Sequence, residues 1–273
     1  MTFWEAFFCG MIQGLTEFLP ISSSGHLAIT HTLFGMETEA SYLSFDILLH
    51  LATLIVVFAV YRRDIFILIP AFFSAPCRLV REKFRWSCLN ETERMALLLI
   101  LATLPLAGAF FVKDSLEWIS GSIRLIGVFL VLNGLLLLIA DRFSRKKGKT
   151  SLSRKGALGV GFFQLLATVP GISRSGATIS GGMLFGLSRE NAVKFSFLLS
   201  VPAIIGANIF NLTEAFSVSV PRQELAYYPV GMAAALVFGF GAMKFLSYIS
   251  AKEKFGFFAY YCITIGVAVF FFC

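Results

Sequence analysis

Charge is scarce in this chain: only 14% of its 273 residues are Asp, Glu, Lys or Arg, where a soluble domain carries about a quarter. Histidine is scarcer still, with three in all, His26, His31 and His50. They fall in no HxxxH or HExxH pattern, which argues against an all-protein zinc site. The five cysteines, Cys9, Cys77, Cys88, Cys262 and Cys273, show no CxxC pair or metal-like spacing. Neither a disulfide framework nor a thiolate centre is expected. Barrel-like alternation is absent too, which leaves helices as the way to satisfy backbone groups in lipid. The first residues hold no basic n-region and no small-residue cleavage site, so the first hydrophobic stretch is expected to belong to the mature protein.

What is present is apolar. The chain is 57% hydrophobic with a mean hydropathy of +0.80, which reads as a polytopic membrane protein. Apolar runs near 20 residues can cross a bilayer as helices, and spans are predicted at 46–61, 95–113, 122–140, 192–210, 228–249 and 256–273. The stretch 64–75, closed by Pro70 and Pro76, is too short to span and is placed as an interfacial or partly inserted helix on the inner side. The net charge of +7 is no sign of a nucleic-acid partner. Much of it sits in two loops, Arg78 to Arg85 and Arg142 to Lys155, the second holding Arg145, Lys146, Lys147, Lys149 and Arg154. Loop Lys and Arg of this kind mark the cytoplasmic side. Loops 114–121 and 211–227, poor in both, are expected outside, and the turn Lys252-Glu253-Lys254 inside.

The chain also repeats itself. Residues 13–26 (QGLTEFLPISSSGH) and 164–177 (QLLATVPGISRSGA) align without a gap, matching Gln13 to Gln164, Ile21 to Ile172, and Ser22, Ser24 and Gly25 to Ser173, Ser175 and Gly176. A second match pairs Phe45-Asp46-Ile47-Leu48-Leu49 with Phe195-Ser196-Phe197-Leu198-Leu199. With the basic loop 142–155 as midpoint, the first repeat is 1–141 and the second 156–273. Three spans per repeat is an odd number, so the copies enter the membrane from opposite faces. Segments 3–35 and 157–188 are broken by Pro20, Gly25, Pro170, Gly171 and Gly176, and read as re-entrant helix-loop-helix hairpins. The expected fold is therefore an all-α integral membrane protein of inverted-topology repeats, forming one unit of about six transmembrane helices and two hairpins. Broken helices at matching positions of such repeats point to a shared site near the midplane.

Ionisable groups in apolar segments cost roughly 2.5–3.5 kcal/mol each on insertion scales, so Glu17 and Arg174 carry a functional expectation. The bland alternative is an ion pair that only ties the hairpins together. Ser22-Ser23-Ser24-Gly25 and Ser173-Arg174-Ser175-Gly176 suit an anion, because small residues let backbone N–H groups converge and helix N-termini add positive dipole ends. Arg174 brings a bidentate phosphate donor. A serine needs a base to become a nucleophile, and His26 lies three residues from Ser23. Asp46 and His50, one turn apart, either line the cavity or orient a neighbour. Gln13 shares a helix face with Glu17.

These strings resemble the BacA-type undecaprenyl-diphosphate phosphatases: Gln13 to His26 in the first copy, and Pro170-Gly-Ile-Ser-Arg174-Ser-Gly-Ala-Thr178-Ile-Ser180 in the second. The likeness spans essentially the whole chain. It implies hydrolysis of undecaprenyl diphosphate to the monophosphate, a recycling step for the bacterial cell-wall lipid carrier that confers bacitracin resistance. It also implies a multi-pass protein of the bacterial cytoplasmic membrane, with a polyprenyl diphosphate lipid as partner, an outward-facing site and the option of a homodimer. By the resemblance, Ser23 is the candidate nucleophile, His26 its base and then acid, and Arg174 the phosphate clamp. Glu17 either orients His26 or helps hold a divalent cation, Mg2+ or Ca2+. Ser22, Ser24, Gly25, Ser173, Ser175, Gly176 and Thr178 then bind phosphate and line the site. The chain departs from many relatives at Gln13, where they have Glu, and at His50, where they have Gln. A covalent serine, a water activated by His26 and attack by His26 itself all remain open. One rival is a polyprenyl-phosphate flippase or transporter, which shares the architecture. An unrelated PAP2-type lipid phosphatase fails, since no Arg-Pro dipeptide occurs and Ser180 stands where that family needs histidine.

Overall fold

The computed structural model describes residues 1–35, 40–144, 148–217, 222–252 and 255–272. Arg145, Lys146 and Lys147 of the basic loop, Glu253 and Lys254 of the last turn, and Cys273 lie outside the described residues. The described chain is helical, and its only β feature is one isolated bridge between Lys149 and Leu187. Two short helices open it, α1 (Phe3–Phe18) and α2 (Ser23–Leu33). Helix α3 runs Ala40–Arg81. Helix α4 (Glu91–Thr103) continues as a 3-10 stretch, Leu104–Val112, into α5 (Lys113–Ser120). After α6 (Ile123–Phe143) comes a second short pair, α7 (Arg154–Leu166) and α8 (Arg174–Leu184). Helices α9 (Arg189–Ser217), α10 (Arg222–Leu225), α11 (Tyr228–Ala251) and α12 (Gly256–Phe272) complete the order.

Five helical stretches among the described residues are long and apolar enough to cross a membrane: Tyr42–Arg81, Glu91–Ser120, Ile123–Phe143, Arg189–Ile209 and Gln223–Ala251. The sixth expected span is the apolar helix Gly256–Phe272 of 17 residues. Large side chains such as Phe66, Phe111, Trp118 and Phe271 stand exposed on these helices, as lipid contact permits.

Two predicted elements come out differently. The stretch 64–75 belongs to a second helix, which joins the span before it across a kink at Tyr61 (φ −100°, ψ 20°) and runs on past Pro76 to Arg81. Pro70 and Pro76 each forgo one helical hydrogen bond, yet carrying the helix on buries Leu68, Ala71 and Ala75. The predicted span 95–113 instead changes to 3-10 geometry at Leu104. Pro105 has no N–H to give the Ala102 carbonyl in that tighter ladder. Gln164 of α7 supplies the missing donor, its Nε2 giving to Ala102 O at 3.3 Å.

Glycines set the closest helix contacts. On α1, a Cβ at Gly10 would come 2.1 Å from the carbonyl oxygen of Gly231 on α11. On α7, one at Gly161 would come 2.6 Å from Ala102 O of α4, and on α6 one at Gly127 would come 2.8 Å from Gly266 O of α12. In each case the obstacle is backbone, which cannot swing aside. Gly10→Val is therefore expected to cost at least about 3 kcal/mol, read as a lower melting temperature of the detergent-purified protein.

Candidate active site

Both short pairs break for the same reason. Proline cannot continue α1 beyond Leu19, and Pro170-Gly171 separates α7 from α8, with Gly171 at φ 98°. Each second helix is then capped by a serine: Ser22 Oγ accepts from the Gly25 N–H at 3.3 Å, and Ser173 Oγ from the Gly176 N–H at 3.1 Å. Gly25 is needed where the turns meet, because a Cβ there would sit 3.3 Å from Gly171 Cα. Across the junction, Ser175 Oγ donates to Leu19 O at 3.0 Å.

Glu17 is the hub. It is buried in α1, and its Oε1 accepts from Arg174 Nη2. Its Oε2 accepts from Ser23 Oγ at 2.7 Å and from Gln13 Nε2 at 3.2 Å. His50 Nε2 lies 3.8 Å from the same oxygen, while His50 Nδ1 donates to Asp46 O at 2.8 Å. These groups face a cavity of about 400 Å³ walled by α1, α2, α3, α7, α8 and α9. Glu17, Ser23, Ser24, Asp46, His50, Ser173 and Arg174 all line it. Two buried polar atoms of these residues have no protein partner, Arg174 Nη1 and Asp46 Oδ1. A guanidinium with one arm tied to a carboxylate and one arm unpartnered suits a phosphate oxygen.

Other predicted residues stand behind that wall. Ser22, Gly25, Ser175 and Gly176 shape the turns, and Thr178 Oγ1 donates to Arg174 O at 2.8 Å while sharing a 2.6 Å contact with Ser196 Oγ. Gln13 braces Glu17. His26 is placed differently from its expected role beside Ser23. Its Nδ1 donates to Ser22 O at 2.7 Å, its Nε2 meets Tyr261 Oη at 2.9 Å, and its ring stacks on Tyr261 of α12. The Ser22 carbonyl it holds belongs to a non-glycine residue at φ 74°, a conformation that persists only when its surroundings fix it. The hydroxyl of Ser23 goes to Glu17 instead.

Sequence reading missed Asn133 on α6, Gln164, Asn208 and Tyr261. Asn133 and Asn208 carried a signal, each being a lone amide inside an apolar span. Gln164 was visible only as the partner of Gln13 in the alignment. Tyr261 carried none, because one more aromatic among 31 phenylalanines does not stand out.

A metal cage does not fit. Among the described residues no three His, Cys, Asp or Glu side chains converge to hold an ion. Both oxygens of the Glu17 carboxylate are already engaged by protein donors.

The paired Ser/Gly turns, joined through Glu17 and Arg174, are the part of the chain to set against known proteins. The profile of the family described as "Bacitracin resistance protein BacA" matches residues 6–268. The chain belongs to the BacA family. Among its relatives, a protein of Alkaliphilus metalliredigens named "Undecaprenyl-diphosphatase" is 40% identical over 273 residues, covering 98% of each chain. One of Desulfosudis oleivorans with the same name is 40% identical over 267 residues, covering 94% of this chain and 93% of that one. A third, from Methanobrevibacter smithii, is 36% identical over 270 residues, covering 97% and 96%. BacA membership thus extends over the two broken segments and the helices between them.

Proposed function

We propose that this protein hydrolyses undecaprenyl diphosphate to undecaprenyl phosphate and inorganic phosphate. In a bacterial cytoplasmic membrane this recycles the lipid carrier of cell-wall synthesis and confers bacitracin resistance. The observation that carries the reading is the 2.7 Å hydrogen bond from Ser23 Oγ to Glu17, beside Arg174 in a cavity walled by apolar helices. A hydroxyl on a carboxylate that also holds a guanidinium is an activated nucleophile next to its phosphate clamp.

In this mechanism Glu17 is the base. As the Ser23 Oγ–P bond forms, the hydroxyl proton passes to Glu17 Oε2 and the bond from phosphorus to the bridging oxygen breaks. Undecaprenyl phosphate leaves. The proton also neutralises the carboxylate that holds Arg174, so the guanidinium turns to the phosphoryl oxygens when charge builds there. Water then forms a bond to phosphorus, the Oγ–P bond breaks, Glu17 returns its proton to Ser23, and inorganic phosphate departs with both protons of the water. His26 is a clamp in this scheme: it fixes the Ser22 peptide and so aims Ser23. A divalent cation, Mg2+ or Ca2+, would supply neutralisation of the diphosphate charge if bound with the substrate, and no residue of this chain is assigned to hold it.

The same proposal takes the halves as inverted repeats and the segments 3–35 and 157–188 as re-entrant hairpins. In its support, α1 packs on α11 as α7 packs on α4, which is the pairing that a two-fold exchange of halves produces. Helices of 16, 11, 13 and 11 residues reach at most roughly 24 Å, short of a bilayer core. The proposal also takes the cavity to open toward the outer face; in support, it adjoins Asp46 and His50 while Arg62, Arg63, Arg78 and Arg81 follow further along α3, as inside residues should. Every group named in this mechanism comes from one chain.

Phosphate release from undecaprenyl diphosphate by the purified protein with Mg2+ or Ca2+ tests this reading; lipid bound without release overturns it. The Tyr261→Phe variant keeps the stacked ring and loses one hydrogen bond of about 1 kcal/mol. It is expected to slow release about fivefold, a change that the initial rate reports.

A further inference from the structure

Asn133 is the polar residue of an otherwise apolar segment of α6, Val131-Leu132-Asn133-Gly134-Leu135. It is 1% exposed and both ends of its amide are hydrogen-bonded. Nδ2 donates to Pro20 O at 3.0 Å, in the turn that leads to Ser23. Oδ1 accepts from the Ser173 N–H at 3.0 Å, in the turn that leads to Arg174. Nδ2 also lies 3.4 Å from Cys262 Sγ on α12, and that thiol in turn reaches Pro20 O at 3.7 Å. One planar group thus bonds to both turns, 113 residues back along the chain and 40 ahead.

We infer that Asn133 is a positioning residue, the strut that fixes the distance between the nucleophile turn and the guanidinium turn. An amide suits the task because one rigid plane offers a donor and an acceptor in opposite directions. The turns need such a partner: Pro20 O and Ser173 N–H lie outside any helical ladder, and both residues are buried. The fit at Ser173 is close, since a Cβ on Gly176 would come 3.0 Å from Asn133 Oδ1. The clamp is held by the same helix pair. Asn133 sits on α6 and Tyr261, which fixes His26, on α12, and those helices meet with backbone against backbone at Gly127 and Gly266. Ser23 and Arg174 are thereby held to one frame, although they come from opposite halves of the chain.

This rests on the phosphatase reading, which wild-type phosphate release tests separately. Asn133→Leu keeps the volume and suits an apolar helix, but cannot bond to either turn. A misplacement near 1 Å costs about a hundredfold in rate, so kcat is expected to fall by about that factor. KM for undecaprenyl diphosphate should stay within about twofold, because the groups that bind the lipid are intact. Melting temperature separates this from plain loss of structure. A strut variant still melts as a folded protein, lowered by the two orphaned turn groups, with kcat alone reduced, whereas a wild-type kcat, or a KM rising in step with the loss, overturns the inference. Should leucine fail to fold, Asn133→Asp, which retains an acceptor for Ser173, is measured in the same way and judged by the same split. If wild type itself releases no phosphate, the phosphatase reading fails instead.

Discussion

Replacing Ser23 with alanine is expected to lower phosphate release by about a thousandfold, while the melting temperature of the purified protein stays near wild type. The hydroxyl makes one hydrogen bond, to Glu17, and its loss leaves the carboxylate still held by Arg174 and Gln13. Ser24 is the internal control. It lines the same cavity, but its hydroxyl meets Ser22 Oγ at 3.4 Å and no base. Ser24→Ala should remain within a few-fold of wild type. Rapid quenching of wild type with lipid labelled in the distal phosphate should also yield a label bound to protein, absent from Ser23→Ala. Equal losses in the two serine variants, or release in Ser23→Ala at the wild-type rate, sink the role of Ser23.

How far such roles could be read from the chain depended on what each residue needed for its meaning. That Glu17, Ser23 and Arg174 would meet was legible because polar residues inside apolar segments are costly enough to demand a reason, and because the string around them occurs twice. The helical class was legible from hydropathy and the lack of alternation. What was not legible is partnership across the chain. His26 looked like the base for Ser23 because the two are three residues apart, yet Ser22 adopts φ 74° and His26 points to Tyr261, 235 residues away. Nothing local records that choice. The end of the helix after Tyr61 was misread for a related reason. Pro70 and Pro76 carry a local penalty, while the burial of Leu68, Ala71 and Ala75 that outweighs it comes from helices distant in sequence.

The ion pair between Glu17 and Arg174 should separate stability from catalysis when the two are mutated singly and together. Glu17→Ala alone leaves a guanidinium without its counter-charge beside a cavity, and Arg174→Ala leaves a carboxylate whose side chain is 5% exposed. Breaking a buried pair from one side costs about 3–5 kcal/mol, because the cost is that of the orphaned charge. Removing both charges together should therefore recover most of that loss, and the double variant is expected to melt above either single one. Activity should behave in the opposite way. Glu17→Ala removes the base and Arg174→Ala the clamp, so each is expected to lower release by about a thousandfold or more, and the double variant should regain none of it. The cycle is read by thermal melting and phosphate release on the same preparations. If the pair served only to tie the two broken segments together, activity would return with stability in the double variant. A recovered melting temperature without recovered release places Glu17 and Arg174 in the chemistry, and a recovery of both removes them from it.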